Sequence, residues 1–220
     1  MVTVAVVFHS ASGTTRQLAQ AVAAGAAAIQ GVNVMTAEIF GADIVEGRFK
    51  NSALLEQLQA AEAIIFGSPT FMGCVSAQFK AFADATGELW AEKAWTDKIA
   101  AGFTIGSNFS GDQLNTLQYL QVFANQHGML WASLDIPGNC DPENRNRLGA
   151  QSGLIAHSKD GLLNETDLIT ATYLGQRVAR VAKKFVAQKI QHNPRRSPRT
   201  LKHGFQWELN DISDQKSDIK

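Results

Sequence analysis

The sequence predicts an α/β sandwich, a five-stranded parallel sheet with helices on both faces. Three observations point there. The hydrophobic period switches repeatedly from strand-like to helix-like along the chain. The strand candidates are continuous apolar runs, as expected of strands covered on both sides. Each connection is long enough for the crossover that parallel pairing requires.

Residues 2–8, VTVAVVF, are β-branched and form the first strand. An alanine-rich helix follows over 14–29, with Leu18, Val22, Ala26 and Ile29 on one face and Gly31 as its stop. Residues 32–38 suit a second strand, 52–60 a short helix through Leu54, Leu55 and Leu58, and 63–67, AIIFG, a third buried strand. A helix over 75–87 turns Val75, Phe79 and Phe82 inward, and 99–106 is the fourth strand. The helix over 112–127 carries Leu114, Leu117, Leu120 and Phe123 as its inner residues, and 129–134, MLWASL, is the fifth strand. Residues 137–166 are rich in Gly, Asn and Asp and read as irregular; the last helix, 167–187, lines up Leu174, Val178, Val181 and Phe185.

One domain is expected over 1–187, and a polar, initially basic and flexible tail over 188–220. The chain has 220 residues, 45% of them hydrophobic and 18% charged, which excludes disorder as its main state. Its 20 Lys+Arg balance 20 Asp+Glu, so it has no net field to attract nucleic acid or an anionic membrane. The tail holds 7 basic and 4 acidic residues, leaving 13 and 16, or −3, for residues 1–187. No apolar run is long enough to span a bilayer, and the opening MVTVAVVFHS lacks the form of a signal peptide. Cys74 and Cys140 are expected to be reduced thiols of a cytoplasmic protein. No His or Cys spacing matches a metal site, so no metal is expected.

In an open parallel sheet, ligands bind beyond the carboxyl ends of the strands, and three segments that directly follow strands carry suitable chemistry. In the first, His9 to Arg16, hydroxyls and helix N-terminal N–H groups suit a phosphate, although Ser12 or Thr14 could simply cap the helix. The segment contains neither a GxGxxG nor a Walker A pattern. In the second, Gly67 to Ser76, Pro69 stiffens the backbone, glycines allow close approach, and Phe71 and Met72 offer apolar surface to a flat ring. The third, Gly106 to Asp112, sets small polar groups beside Phe109. Together they make a plausible mononucleotide pocket, with an ordinary set of turns and core aromatics as the plainer alternative.

The segment GSPTFMGCVSAQFKAFADATGELW (67–90), QHGM (126–129) and NRLGAQSG (146–153) resemble the WrbA-type NAD(P)H:quinone oxidoreductases, a branch of the flavodoxin-like FMN proteins, over roughly residues 1–187. The resemblance implies a three-layer flavodoxin-like sandwich with strand order 2-1-3-4-5. It also implies FMN as cofactor, NADPH or NADH as donor, a quinone as acceptor, and a homo-oligomer, dimer or tetramer. Ser10, Ser12, Gly13, Thr14 and Thr15 match the family's phosphate loop. Pro69, Thr70, Phe71, Met72 and Gly73 match the loop along the flavin, and Ser107, Asn108, Phe109, Ser110 and Gly111 match the third flavin loop. His127 matches a histidine facing the flavin where substrate enters, the expected catalytic residue. Trp90 matches an aromatic that lines the site, as a stacking surface for substrate, from a neighbouring subunit.

The chain departs from the family in two places. Phe71 stands where a basic residue is common, and Asn108 and Phe109 alter a glycine-rich loop. The expected activity is two-electron, ping-pong transfer from NAD(P)H to a flat acceptor. The alternatives are a one-electron carrier like flavodoxin, or a flavin binder without turnover. The low charge of the body argues against the carrier, which depends on a steering field.

Overall fold

The computed structural model describes residues 1–138 and 140–192, and the tail assigned to 188–220 falls largely outside the described residues. The elements are β1 (Val2–Phe8), α1 (Thr14–Ala27), β2 (Val32–Glu38), β3 (Ile44–Val45), β4 (Arg48–Phe49), α2 (Ser52–Gln59), β5 (Ala63–Phe71) and β6 (Cys74–Val75). They continue with α3 (Ala77–Asp84), α4 (Gly87–Ala91), β7 (Ile99–Gly106), α5 (Gln113–Gln126), β8 (Leu130–Trp131), β9 (Leu154–His157) and α6 (Glu165–His192). The last helix thus continues past the expected boundary at 187. Among the described residues no helix is long and apolar enough to cross a membrane.

The main sheet runs β2-β1-β5-β7-β8, all parallel, which is the expected doubly wound order. Alternate residues of each strand feed opposite cores. Val4, Val6 and Phe8 pack with Leu18 and Val22 of α1 and Leu174 and Val178 of α6. Ala5, Val7, Ile64 and Phe66 pack with Phe79, Phe82, Leu117 and Phe123 on the other side. There Phe66 meets the Phe123 ring edge-on at 5.2 Å, the geometry that aromatic quadrupoles favour. Leu114, expected inside, is 48% exposed, because it lies at the outer edge of the α5 stripe.

The fifth strand differs most from expectation. It is split: Leu130 and Trp131 pair with Ile99 and Ala100, and then Leu154 to His157 pair with Phe103 to Gly106. Between them the chain leaves the sheet after Trp131 and is pinned to α6, where Asn146 Nδ2 donates to the Ile136 carbonyl (2.8 Å) and the Asn146 amide donates to Thr170 Oγ1 (2.9 Å). It can return beside β7 because residue 153 is glycine; a Cβ there would lie 2.6 Å from the Gly102 carbonyl oxygen. A stretch read as irregular therefore contains a sheet strand. The β3–β4 hairpin was likewise not expected.

The register sets Phe8, Glu38 and Gly67 side by side, and Gly106 beside His157. The loops that follow β1, β5, β7 and β9 consequently emerge on one edge of the sheet.

Candidate functional site

The β1–α1 turn sets hydroxyls beside the leading amides of a helix. Gly13 sits at φ +89°, where a side chain would be strained, and lets the chain swing into the helix. The first turn of α1 contains no acidic residue, and helix geometry leaves its leading N–H groups without intrahelical partners. Ser10 Oγ fills part of that gap, accepting from the amides of Gly13 and Arg16, both at 3.2 Å. Ser12 and Thr14 share a hydroxyl contact of 3.2 Å, and Thr14 and Thr15 are both buried. Gly13 has no side chain with which to cap α1, and the cap comes instead from Ser10, whose Oγ accepts from the Arg16 amide in the first turn. Arg16 donates twice to Glu38, at 2.6 and 2.7 Å, beside the same turn.

The second segment is a two-residue hairpin rather than a βα turn. Strand β5 runs on to Phe71, pairing Thr70 with Val75 and Phe71 with Cys74. Met72 (φ +48°) and Gly73 (φ +76°) form the turn with positive φ at both positions that suits two-residue hairpins. The consequence is exposure: Phe71 is 48% exposed and Met72 fully so. Thr70 behaves differently from expectation. Thr104 Oγ1 donates to the Ser68 carbonyl (2.8 Å), and Thr70 Oγ1 lies 2.8 Å from the hydroxyls of both Thr104 and Thr116. Its hydroxyl thus joins β5, β7 and α5, and its single proton goes to Thr104, whose own proton is on the Ser68 carbonyl. Asn115 Nδ2 donates to the Gly73 carbonyl at 2.6 Å and ties the hairpin to α5.

The third loop is braced from two sides. Gln113, almost fully buried, accepts from the Gly111 amide (2.7 Å) and donates to the Asn108 carbonyl. Gly106 leaves room for it, since a Cβ there would lie 2.5 Å from Gln113 Nε2. On the far side the Phe109 ring stacks on His157 at 4.1 Å and 21°. The Arg147 guanidinium lies over the Phe109 ring, 6.0 Å from its centroid, and is itself held by two bonds of 2.7 Å to the buried Asp167. Thr104, Gln113, Asn115, Thr116 and Asp167 lie outside the segments that carry the resemblance, and the fold brings them to this edge together with Arg147 of NRLGAQSG. Two further polar atoms here, His9 Nδ1 after β1 and Ser158 Oγ after β9, are buried with no hydrogen-bond partner among the described residues. Burial pushes the His9 pKa below its usual value, against the opposing pull of Glu38.

His127 and Trp90 are not brought to this edge. Helix α5 starts beside the third loop and runs back across the sheet, and Leu130, three residues past His127, pairs with Ile99, the first residue of β7. His127 therefore lies at the amino edge, buried, with its ring 4.4 Å from Trp95 and edge-on to Phe123 at 5.1 Å. Thr86 Oγ1 donates to the Ala83 carbonyl, so it accepts from His127 Nε2–H at 2.8 Å. Nδ1 is left buried and unpartnered, and burial pushes the imidazole pKa down to about 4. Within one chain His127 is thus a buried core residue at the edge of the sheet away from the three loops. Trp90, one turn beyond Thr86 on α4, is 41% exposed and does not reach the loops of its own chain.

The chain matches the family model described as NADPH-dependent FMN reductase over residues 2–134. It is 36% identical over 190 residues to Flavodoxin FldP of Pseudomonas aeruginosa, covering 83% of this chain and 97% of that relative. It is 37% identical over 198 residues to an NAD(P)H dehydrogenase (quinone) of Archaeoglobus fulgidus, covering 84% and 99%. Among solved structures, a flavodoxin, WrbA-like protein from Agrobacterium tumefaciens superposes with a TM-score of 0.67 at 39% identity, over 84% of this chain and 99% of that one.

Proposed function

Because the chain belongs to the NADPH-dependent FMN reductase family, we propose that it is an FMN-dependent oxidoreductase that carries two electrons from NAD(P)H to a quinone or similar flat acceptor. One observation carries this: anion-binding groups and exposed apolar surface share one edge of the sheet. The Ser10–Thr15 turn supplies donors for a phosphate, while Phe71, Met72 and Phe109 stand exposed over the neighbouring loops. These residues fit FMN, whose phosphate needs donors and whose ring needs apolar faces.

The Gly13 and Arg16 amides, released from Ser10 Oγ, would bind phosphate oxygens with the hydroxyls of Ser12, Thr14 and Thr15 beside them. Pro69 to Gly73 and Ser107 to Gly111 would hold the ring, through backbone groups and the faces of Phe71 and Phe109. When bound, FMN supplies the two-electron chemistry that no side chain here has. The protein orients it, keeps water from its apolar side and leaves the Phe71–Met72 tip open to flat substrates. In a ping-pong scheme the donor and the acceptor would use that surface in turn. The names of relatives support NAD(P)H and quinone as the substrate pair.

A second reading, a one-electron carrier, rests on the likeness to Flavodoxin FldP. The test is an absorbance spectrum followed by anaerobic addition of NADPH and then benzoquinone. The enzyme requires a flavin spectrum that bleaches with NADPH and recovers with quinone. A flavin that NADPH and NADH leave oxidised would favour the carrier or a binder without turnover, and a protein that neither contains nor binds FMN would overturn all three.

A further inference from the structure

Phe109 is two-thirds exposed, yet its ring is not free to wander. It lies nearly parallel to the imidazole of His157, with centroids 4.1 Å apart. His157 is itself fixed at two points, one on its ring and one on its backbone. His157 Nε2 is 3.2 Å from the Ser107 carbonyl, at the base of the third loop, and can reach it only as a donor, because a carbonyl oxygen cannot donate. The His157 amide donates to Asp167 Oδ2 at 3.1 Å. Asp167 is 2% exposed and also holds both donors of Arg147. A buried carboxylate in the first turn of α6 thus fixes β9, and through His157 fixes both the backbone and the aromatic ring of a loop 50 residues earlier in the chain.

Such a chain of supports is more than an exposed phenylalanine needs for stability. An exposed ring has little burial to gain, and a stack of this kind adds only modestly. Its effect is to preset one ring plane beside the proposed cofactor site. We infer that His157 is a positioning residue for that site: it acts through Phe109 and the Ser107 carbonyl to hold the third loop in the shape that receives a planar ring. The inference rests on the reading of this edge as an FMN site. Preorganisation of this kind lowers the cost of ordering on binding, so its loss falls on cofactor affinity and on the asymmetry of the bound ring's surroundings.

Apoprotein, freed of flavin, is titrated into FMN while FMN fluorescence quenching reports Kd, and visible circular dichroism reports the surroundings of the bound ring. His157→Ala removes both stack and donor, His157→Phe keeps the stack alone and His157→Gln keeps a donor alone. The expected result is a rise in Kd of about tenfold for His157→Ala, a changed dichroism band, and recovery of most of the affinity in His157→Phe. An unchanged Kd and dichroism in His157→Ala would overturn the inference. So would equal weakening in all three variants together with a lowered melting temperature of each apoprotein, which marks a purely structural residue. Wild-type apoprotein that does not quench FMN at all would instead overturn the FMN reading, and this inference with it.

Discussion

The Nδ1 atom of His127 is buried without a hydrogen-bond partner among the described residues, while Nε2–H is bonded to Thr86. A proton added at Nδ1 would place a charge against Trp95 and Phe123 with nothing to solvate it, which is why the pKa falls to about 4. In the unfolded chain the same group titrates near its ordinary value of 6.5. Between these values the unfolded state binds a proton that the folded state refuses, so stability is full above about pH 6.5 and falls as pH drops towards 4. Denaturant midpoints at pH 7 and pH 4.5 should show a loss that His127→Gln reduces by roughly 2 kcal/mol. The same substitution should leave Kd for FMN within about twofold of wild type, because His127 sits at the other edge of the sheet. A tenfold weaker cofactor affinity would contradict that placement.

At the scale of elements, the Met72–Gly73 turn sets local preference against exposure. Asn at the first position of such a turn accepts positive φ more readily than Met, so Met72→Asn should raise thermal stability by roughly 0.5 kcal/mol. It also strips the tip of its apolar side chain, and KM for a flat acceptor should rise severalfold. A gain in stability with unchanged KM would show that the tip does not touch substrate. The α1–α6 contact is the opposite case, a place where sequence and packing agree. Gly25 and Gly175 face the partner backbone so closely that a Cβ would lie 1.9 Å from the Thr172 and Val22 carbonyl oxygens. Gly175→Ala should therefore cost about 2 kcal/mol or more in urea unfolding, with α1 and the Ser10–Thr15 turn displaced. Elements with a strong period were legible in the chain: β1, α1, β5, β7, α5 and α6 all lie close to where their apolar residues put them. The split fifth strand was not, because β9 holds four residues and its reason for existing, pairing with Phe103 to Gly106, is 51 residues away. The site divides along the same line. Loops that follow strands announce themselves by position and composition, whereas Thr116, Gln113, Arg147 and Asp167 act through contacts that no local spacing encodes.

For the whole molecule, the open question is what covers the apolar residues that the sandwich leaves outside. Leu114 and Val122 lie two turns apart on α5, at 48% and 58% exposure, and Trp90 on α4 is 41% exposed. Isolated exposed apolar side chains are ordinary, but large ones repeated along one helix fit a surface that another subunit covers. The resemblance to WrbA-type enzymes implies an oligomer in which Trp90 reaches a neighbouring site, and the position of Trp90 away from its own loops is compatible with that arrangement. Light scattering on wild-type protein should then give a dimer or tetramer mass. The double variant Leu114→Glu, Val122→Glu should shift that mass towards monomer, since charges in an apolar contact are costly to bury. Its consequences should separate by site. Affinity for FMN, built from Ser10 to Thr15 and the loops of one chain, should stay within about twofold, while kcat/KM for quinone should fall by about tenfold as the neighbour's Trp90 is lost from the stacking surface. A wild-type monomer of full activity would show that one chain completes its own site, and would leave Phe71, Met72 and Phe109 as the whole of the surface on which substrates stack.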